Sequence, residues 1–208
     1  MYDIVIVGAG GFGREVYLWA KESFSEEQYK IKGFLDDNSK ALDGYNVEIG
    51  VIGSIDKYEI KEKDRFIIGI GTLEIKKQIV EKLIIRGAKF INLIHPTAVI
   101  ADTAVIGSGN VIAPFVLISN CAKLNDFVVL NVYSSCGHDT RIGKYCTLSP
   151  YAAATGFVVL EDEVYLSTHA TIAPGRKVGC KSKVSANSVV MRDVPPNKMV
   201  FGVPGKIV

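Results

Sequence analysis

Histidine is scarce in this chain, with three in 208 residues, and cysteine is nearly so at four. Charge of one sign barely accumulates (net +2), and no apolar run approaches the ~20 residues that a bilayer span needs. Each shortage excludes something. With no basic run behind it, the small net charge leaves no footprint for nucleic acid, so no such partner is expected. The N-terminus carries no signal-peptide pattern, and a cytoplasmic location without a membrane span is expected. Cys121, Cys136, Cys146 and Cys180 lack metal-ligand spacing and read as reduced thiols. His95, His138 and His169 stand 43 and 31 residues apart, so the closely spaced pair of a shared zinc site is missing and no metal is expected.

What the chain does have is a repeat. Written in sixes from His95, residues 95–190 end every block on an apolar residue, from Ile100, Ile106 and Ile112 to Val178, Val184 and Val190. That makes sixteen consecutive blocks, in which only Cys136 and Ala154 are smaller than Val. Two positions earlier stands a mostly small or β-branched residue, with Asn110 and Arg176 as exceptions. A period of six suits neither an amphipathic helix nor an alternating strand. It suits a short strand, a sharp corner and another short strand, the signature of a hexapeptide β-helix. At three faces per turn and ~4.8 Å per rung, the blocks predict a prism of a little over five turns with a ladder of like side chains inside.

Residues 1–93 are of another kind. Tyr2–Val7 reads as a buried parallel strand, Gly8-Ala9-Gly10-Gly11-Phe12-Gly13 follows at once, and a helix opens around Arg14. Residues 31–35 read as a second strand ending in Asp36-Asp37, 65–71 as a third, 73–86 as a helix and 89–92 as a last strand. The expectation is an α/β plus β chain: a small Rossmann-like parallel βαβ domain over 1–93, then the β-helix over 94–208. The glycine loop matches G-x-G-x-x-G between strand and helix, where backbone N–H groups and the helix N-terminus can meet a phosphate. An acid at the end of the second strand, Asp36, is placed for ribose hydroxyls. The first unit holds only one mononucleotide half, so a nucleoside diphosphate fits better than a dinucleotide. A tight turn without ligand is the alternative.

His138 lies in Cys136-Gly137-His138-Asp139-Thr140. Since Cys136 and Thr140 point inward, His138 and Asp139 fall at a corner, facing out. An imidazole beside a carboxylate can act as a general base, because the acid fixes its tautomer; a solvated corner is the bland alternative. His95 reads as structural, and His169 as a corner residue without an adjacent acid, with a pocket wall as its alternative role. Cys136 faces the core and is a poor nucleophile.

These features together with the tail Val194-Pro195-Pro196…Gly202-Val203-Pro204-Gly205-Lys206 resemble the bacterial sugar acetyltransferases of the sialic acid O-acetyltransferase family, within the hexapeptide-repeat acyltransferases. The resemblance spans essentially the whole chain. It is greatest to the branch that acetylates the 4-amino group of nucleotide-linked 4-amino-4,6-dideoxy sugars. It implies a left-handed β-helix, a homotrimer with sites between subunits, and acetyl-CoA as cosubstrate. By the same resemblance His138 is the catalytic base and Asp139 its orienting acid. Gly156 offers an oxyanion-type N–H, and Pro174, Ala186, Pro204 and Lys206 line the coenzyme A groove. Asn131 is a possible substrate contact, while Gly8, Gly10, Gly11, Gly13, Asp36 and Gly71 hold the nucleotide sugar. Some members carry a second histidine where this chain has Thr147. The reaction implied is direct transfer to a UDP- or dTDP-linked amino sugar. O-acetylation of sialic acid or another sugar hydroxyl stays open, as does a non-catalytic scaffold.

Overall fold

The computed structural model describes all 208 residues, which divide into two compact units, Met1–Leu93 and Ile94–Val208. The first holds β1 (Tyr2–Val7), α1 (Gly11–Ser23), β2 (Tyr29–Leu35), β3 (Val51–Gly53), β4 (Asp64–Ile68) and α2 (Leu73–Ile85). The four strands form one parallel sheet in the order β3-β2-β1-β4. Ile4 to Val7 are completely buried, which is why the first run is apolar at every position rather than alternating. Strand order reverses on either side of β1, and the loops after β1 and β4 border the crevice that such a reversal opens. Two features differ from the sequence expectation. Residues 89–92 make only a single bridge, Phe66 to Phe90, instead of a strand, while the short edge strand β3 carries no pattern long enough to announce it.

The second unit is a left-handed parallel β-helix. Seventeen two-residue strands, β5 (Leu93–Ile94) to β21 (Val189–Val190), recur every six residues; β22 (Met199–Phe201) extends the same stack. From β6 (Val99–Ile100) to β21 every parallel partner lies eighteen residues away, as Ser135 with Ala153 or Arg141 with Val159, so three blocks make one turn; β22 joins β20 (Lys183–Val184) at sixteen, Met199 facing Lys183. The sixth residue of each block points inward. Ile112, Leu130, Leu148, Leu166 and Val184 form one fully buried ladder, and Ile118, Cys136, Ala154 and Ile172 another. Burial at ~25 cal/mol per Å² of apolar surface makes these ladders the main stabilising term of the unit. Among the inward polar residues, Asn110 accepts the Val128 N–H through Oδ1 at 2.7 Å. At the C-terminal end, β23 (Lys206–Ile207) folds back antiparallel on β22.

The corners carry a feature that no residue type signals. The third residue of every block from Gly109 to Asn187 is left-handed, with φ between 55° and 71°, though only Gly109 and Gly175 in the series are glycine. An L residue there costs about 1 kcal/mol or more. The stack offsets it, because from Phe127 onward each such N–H donates to a carbonyl on the preceding turn, as Asp139 to Asn120 and Phe157 to His138, both 2.9 Å, while Phe115 and Cys121 donate to the hydroxyls of Thr97 and Thr103. On one corner this repetition aligns the rings of Phe115, Tyr133, Tyr151 and His169 in a stack, with centroids 4.9, 4.9 and 4.7 Å apart.

Candidate active site

His138 stands on a corner in a column with Asn120 one turn before it, and Gly156 and Pro174 one and two turns after. Its Nδ1 lies 3.0 Å from Asp139 Oδ2. With the carboxylate accepting that proton, Nε2 carries the lone pair and points away. Asp139 holds this position because its backbone is left-handed (φ 58°), a conformation Asp tolerates better than most residues. The ring edge also meets Phe157 in a T-shaped contact at 4.9 Å. Both side chains of the pair are about half exposed, 56% and 44%. Nε2 lies over Gly156: a Cβ added there would fall 2.5 Å from it. Glycine at 156 therefore makes room for the imidazole itself, whose Nε2 and Cε1 occupy the place a side chain would take. No acceptor in the chain takes the Gly156 N–H.

Cys136, two residues before His138, is fully buried, and burial pushes its thiol up to about 12, with Cys146 nearby adding to the shift. A thiol held so firmly protonated is no nucleophile at neutral pH. His95 is buried with its Nδ1 2.8 Å from Thr97 Oγ1, a local structural contact. No group of three or more His, Cys, Asp or Glu side chains is assembled for a metal, and no helix is long and apolar enough to cross a membrane.

The first unit carries a separate cleft of about 330 Å³ over the ends of β1 and β4, lined by Gly8, Gly10, Gly11, Asp36 and Gly71 among others. The glycines divide by task. A Cβ on Gly13 would sit 2.0 Å from the Gly8 carbonyl, and one on Gly8, at φ 96°, would strike Ile70, so these two permit close packing of strand and helix. Gly10 and Gly71 face open space, where backbone can approach a ligand. Asp36 fixes the loop: Oδ2 accepts the Ala9 N–H at 2.8 Å and Oδ1 the Asn38 N–H at 2.9 Å. Each oxygen keeps a further lone pair toward the cleft. The helix starts at Gly11, so its first turn has neither a side-chain cap nor an acid, and its N–H groups are open to an anion. Sequence reading missed Asp37, Ile55, Ile75 and Ile79 on the same cleft. The i, i+4 spacing of the last two was the available signal.

Other expected site residues lie elsewhere. Asn131 and Ala186 occupy the corner of the stacked rings, not that of His138; Asn131 Oδ1 accepts the Val132 N–H at 2.7 Å. Thr147 projects from β14 (Thr147–Leu148), in register with Val129 and Tyr165, on the face opposite the His138 corner. Pro204, after a cis peptide bond, and Lys206, paired with Phe201, belong to the terminal hairpin. One chain brings together His138, Asp139, Gly156 and Pro174, but not Asn131 or Ala186.

Comparison with known proteins adds to this geometry. Residues 3–83 match the family model described as the PglD N-terminal domain. A GDP-perosamine N-acetyltransferase of Escherichia coli O157:H7 is 33% identical over 175 residues, covering 82% of this chain and 77% of that one. PerB from Caulobacter crescentus, solved in complex with CoA and GDP-perosamine, superposes with a TM-score of 0.90 at 26% identity, over 100% of this chain and 98% of that one. The acetyltransferase domain of PglB from Neisseria gonorrhoeae FA1090, in complex with acetyl coenzyme A, gives 0.89 at 27% identity over 99% and 98%.

Proposed function

Because the chain belongs to the hexapeptide-repeat family of sugar acetyltransferases, we propose that it moves an acetyl group from acetyl-CoA to the 4-amino group of a nucleoside-diphosphate-linked 4-amino-4,6-dideoxy sugar. The relative and the solved complex that carry GDP-perosamine in their names add guanine to the uracil and thymine expected from the sequence. The observation that carries the reading is the alignment of Asp139, His138 Nε2 and Gly156 along one corner.

In the proposed reaction the sugar amine attacks the thioester carbon while Nε2 accepts the amine proton. Asp139 stabilises the imidazolium that forms. The carbonyl oxygen gathers charge as the new C–N bond forms, and the N–H of Gly156, which no acceptor in the chain takes, is the donor assigned to it. The C–S bond breaks, the coenzyme leaves as a thiolate, and the imidazolium returns the proton to it, giving amide and free thiol. Amine and thioester need only positioning and a base, so no acyl-enzyme is involved. The glycine-loop cleft holds the nucleotide, with Gly10, Gly11 and Gly71 toward the diphosphate and Asp36 toward the ribose. Pro174, Ala186, Pro204 and Lys206 line the coenzyme groove. The assembly in this reading is a homotrimer, supported by the placement of Asn131 and Ala186 on a different corner from His138.

The test is thiol release from acetyl-CoA by purified protein, offered UDP-, dTDP- and GDP-linked 4-amino-4,6-dideoxy sugars beside free sialic acid. Turnover on one nucleotide amino sugar, abolished in His138→Ala, is expected. Turnover on sialic acid alone moves the assignment to O-acetylation; silence on every acceptor overturns the reading.

A further inference from the structure

A second, larger cleft of about 540 Å³ lies on the β-helix face that leaves the His138 corner, formed by the outer surfaces of β10 (Lys123–Leu124), β13 (Arg141–Ile142) and β16 (Val159–Leu160). Lys123 and Arg141 project into it from adjacent rungs, in register. We propose that these two cations form a phosphate-binding pair that anchors a substrate phosphate beside His138. The proposal rests on the acetyl-transfer reading, in which both substrates carry phosphate groups.

The charges of the cleft are unevenly engaged. Glu161 spends Oε1 on Lys177 Nζ at 2.5 Å and Oε2 on the Cys180 N–H at 2.9 Å. Asp162 accepts the Lys144 N–H at 2.7 Å, and the ammonium of Lys144 pairs with Asp126 at 3.3 Å. Lys123 and Arg141 make no ion pair and no side-chain hydrogen bond, and both are exposed. Strand neighbours stand ~4.8 Å apart, so the two like charges repel with nothing between them.

Nowhere else on the solenoid are two cations paired this way. Among the outward strand positions, Lys177 has its carboxylate, and Lys183 has Tyr165 and Met199 as rung neighbours. An oxyanion seated between a guanidinium fork and an ammonium turns this repulsion into two charge-assisted hydrogen bonds. Arg141 is three residues after His138, so the pair flanks the reacting corner. The phosphate has two sources, acetyl-CoA and the nucleotide sugar, and the chemistry of the site is the same for both.

The test uses the full chain with Lys123→Gln, Arg141→Gln and the double variant. Lys183→Gln, on another face, controls for net charge, and thermal melting checks folding. KM is measured for acetyl-CoA, 3′-dephospho-acetyl-CoA and the nucleotide amino sugar, and calorimetry reads CoA and inorganic pyrophosphate binding independently of turnover. The double variant is expected to raise KM for one of the two substrates about tenfold or more, leaving kcat within about twofold, with Lys183→Gln unaffected. A penalty on acetyl-CoA that the dephospho compound does not show assigns the 3′-phosphate. A penalty on both coenzyme forms assigns the coenzyme diphosphate, and one on the nucleotide sugar alone assigns the sugar diphosphate. Unchanged KM values in an active enzyme overturn the pair while leaving the acetyl-transfer reading intact. If the wild type transfers no acetyl group, that reading fails, and equal CoA and pyrophosphate binding by wild type and double variant then overturns the pair as well.

Discussion

The imidazole of His138 covers the α-carbon of Gly156, one turn further along the β-helix, so closely that a single added methyl group would lie 2.5 Å from Nε2. The imidazole and the Gly156 backbone are thereby set at a separation fixed by the rung spacing of the scaffold.

Gly156→Ala keeps the backbone N–H but displaces the imidazole, so it is expected to cut kcat by roughly a hundredfold or more, the contribution of a general base. Melting temperature should change little, since the corner is exposed. Steady-state kinetics beside a thermal scan reads both; a variant with near-normal kcat removes Gly156 from the reaction.

Removing the base should be costly, and removing its orienting acid less so. His138→Asn is predicted to lower kcat by about 10²–10⁴-fold, the usual contribution of general base catalysis, with acetyl-CoA binding retained. Asp139→Asn keeps the shape but loses the charge that fixes the tautomer, so a loss on the order of tenfold or more is expected. Equal activity of Asp139→Asn and wild type would make the 3.0 Å contact incidental.

Asp36 ties the glycine loop to β2 through the Ala9 N–H. Asp36→Ala should raise KM for the nucleotide sugar about tenfold or more by releasing that loop, and leave KM for acetyl-CoA alone. A change in the acetyl-CoA value instead would detach the cleft from the nucleotide.

Cys136 gives a pH signature. Burial raises its folded thiol to about 12 from an ordinary 9.0, so the unfolded chain ionises first. Its contribution to stability is present below pH 9 and lost as pH climbs toward 12. Denaturant melts from pH 8 upward should show a decline that is shallower in Cys136→Ala. Iodoacetamide at pH 8 should label the exposed Cys121 and spare Cys136 in the native state; rapid labelling of Cys136 would contradict its core position.

The β-helix was legible because its core admits one class of side chain at one position in six, from Ile100 to Val190. The His138–Asp139 corner was legible by elimination, once Cys136 and Thr140 were placed inside. Its left-handed backbone was not, since Phe115, Cys121, Asp139 and Lys181 share that conformation and no chemistry. Stacking selects it there, against their intrinsic preference. Residues 89–92 looked like a strand by apolar content, but they offer β4 a single bridge. The Lys123–Arg141 pair appears only when the chain is written in eighteens, because neighbours across rungs are three blocks apart.

A solenoid of this kind measures length by counting. Removing or adding eighteen residues between Gly156 and the terminal hairpin at Lys206 alters the span between them by one step of ~4.8 Å and leaves each corner facing as before. On the acetyl-transfer reading, the reach of the groove toward the tail is thus graduated like a ruler, and a lineage can fit a longer or shorter acyl carrier by whole divisions without rebuilding the chemistry at its zero mark.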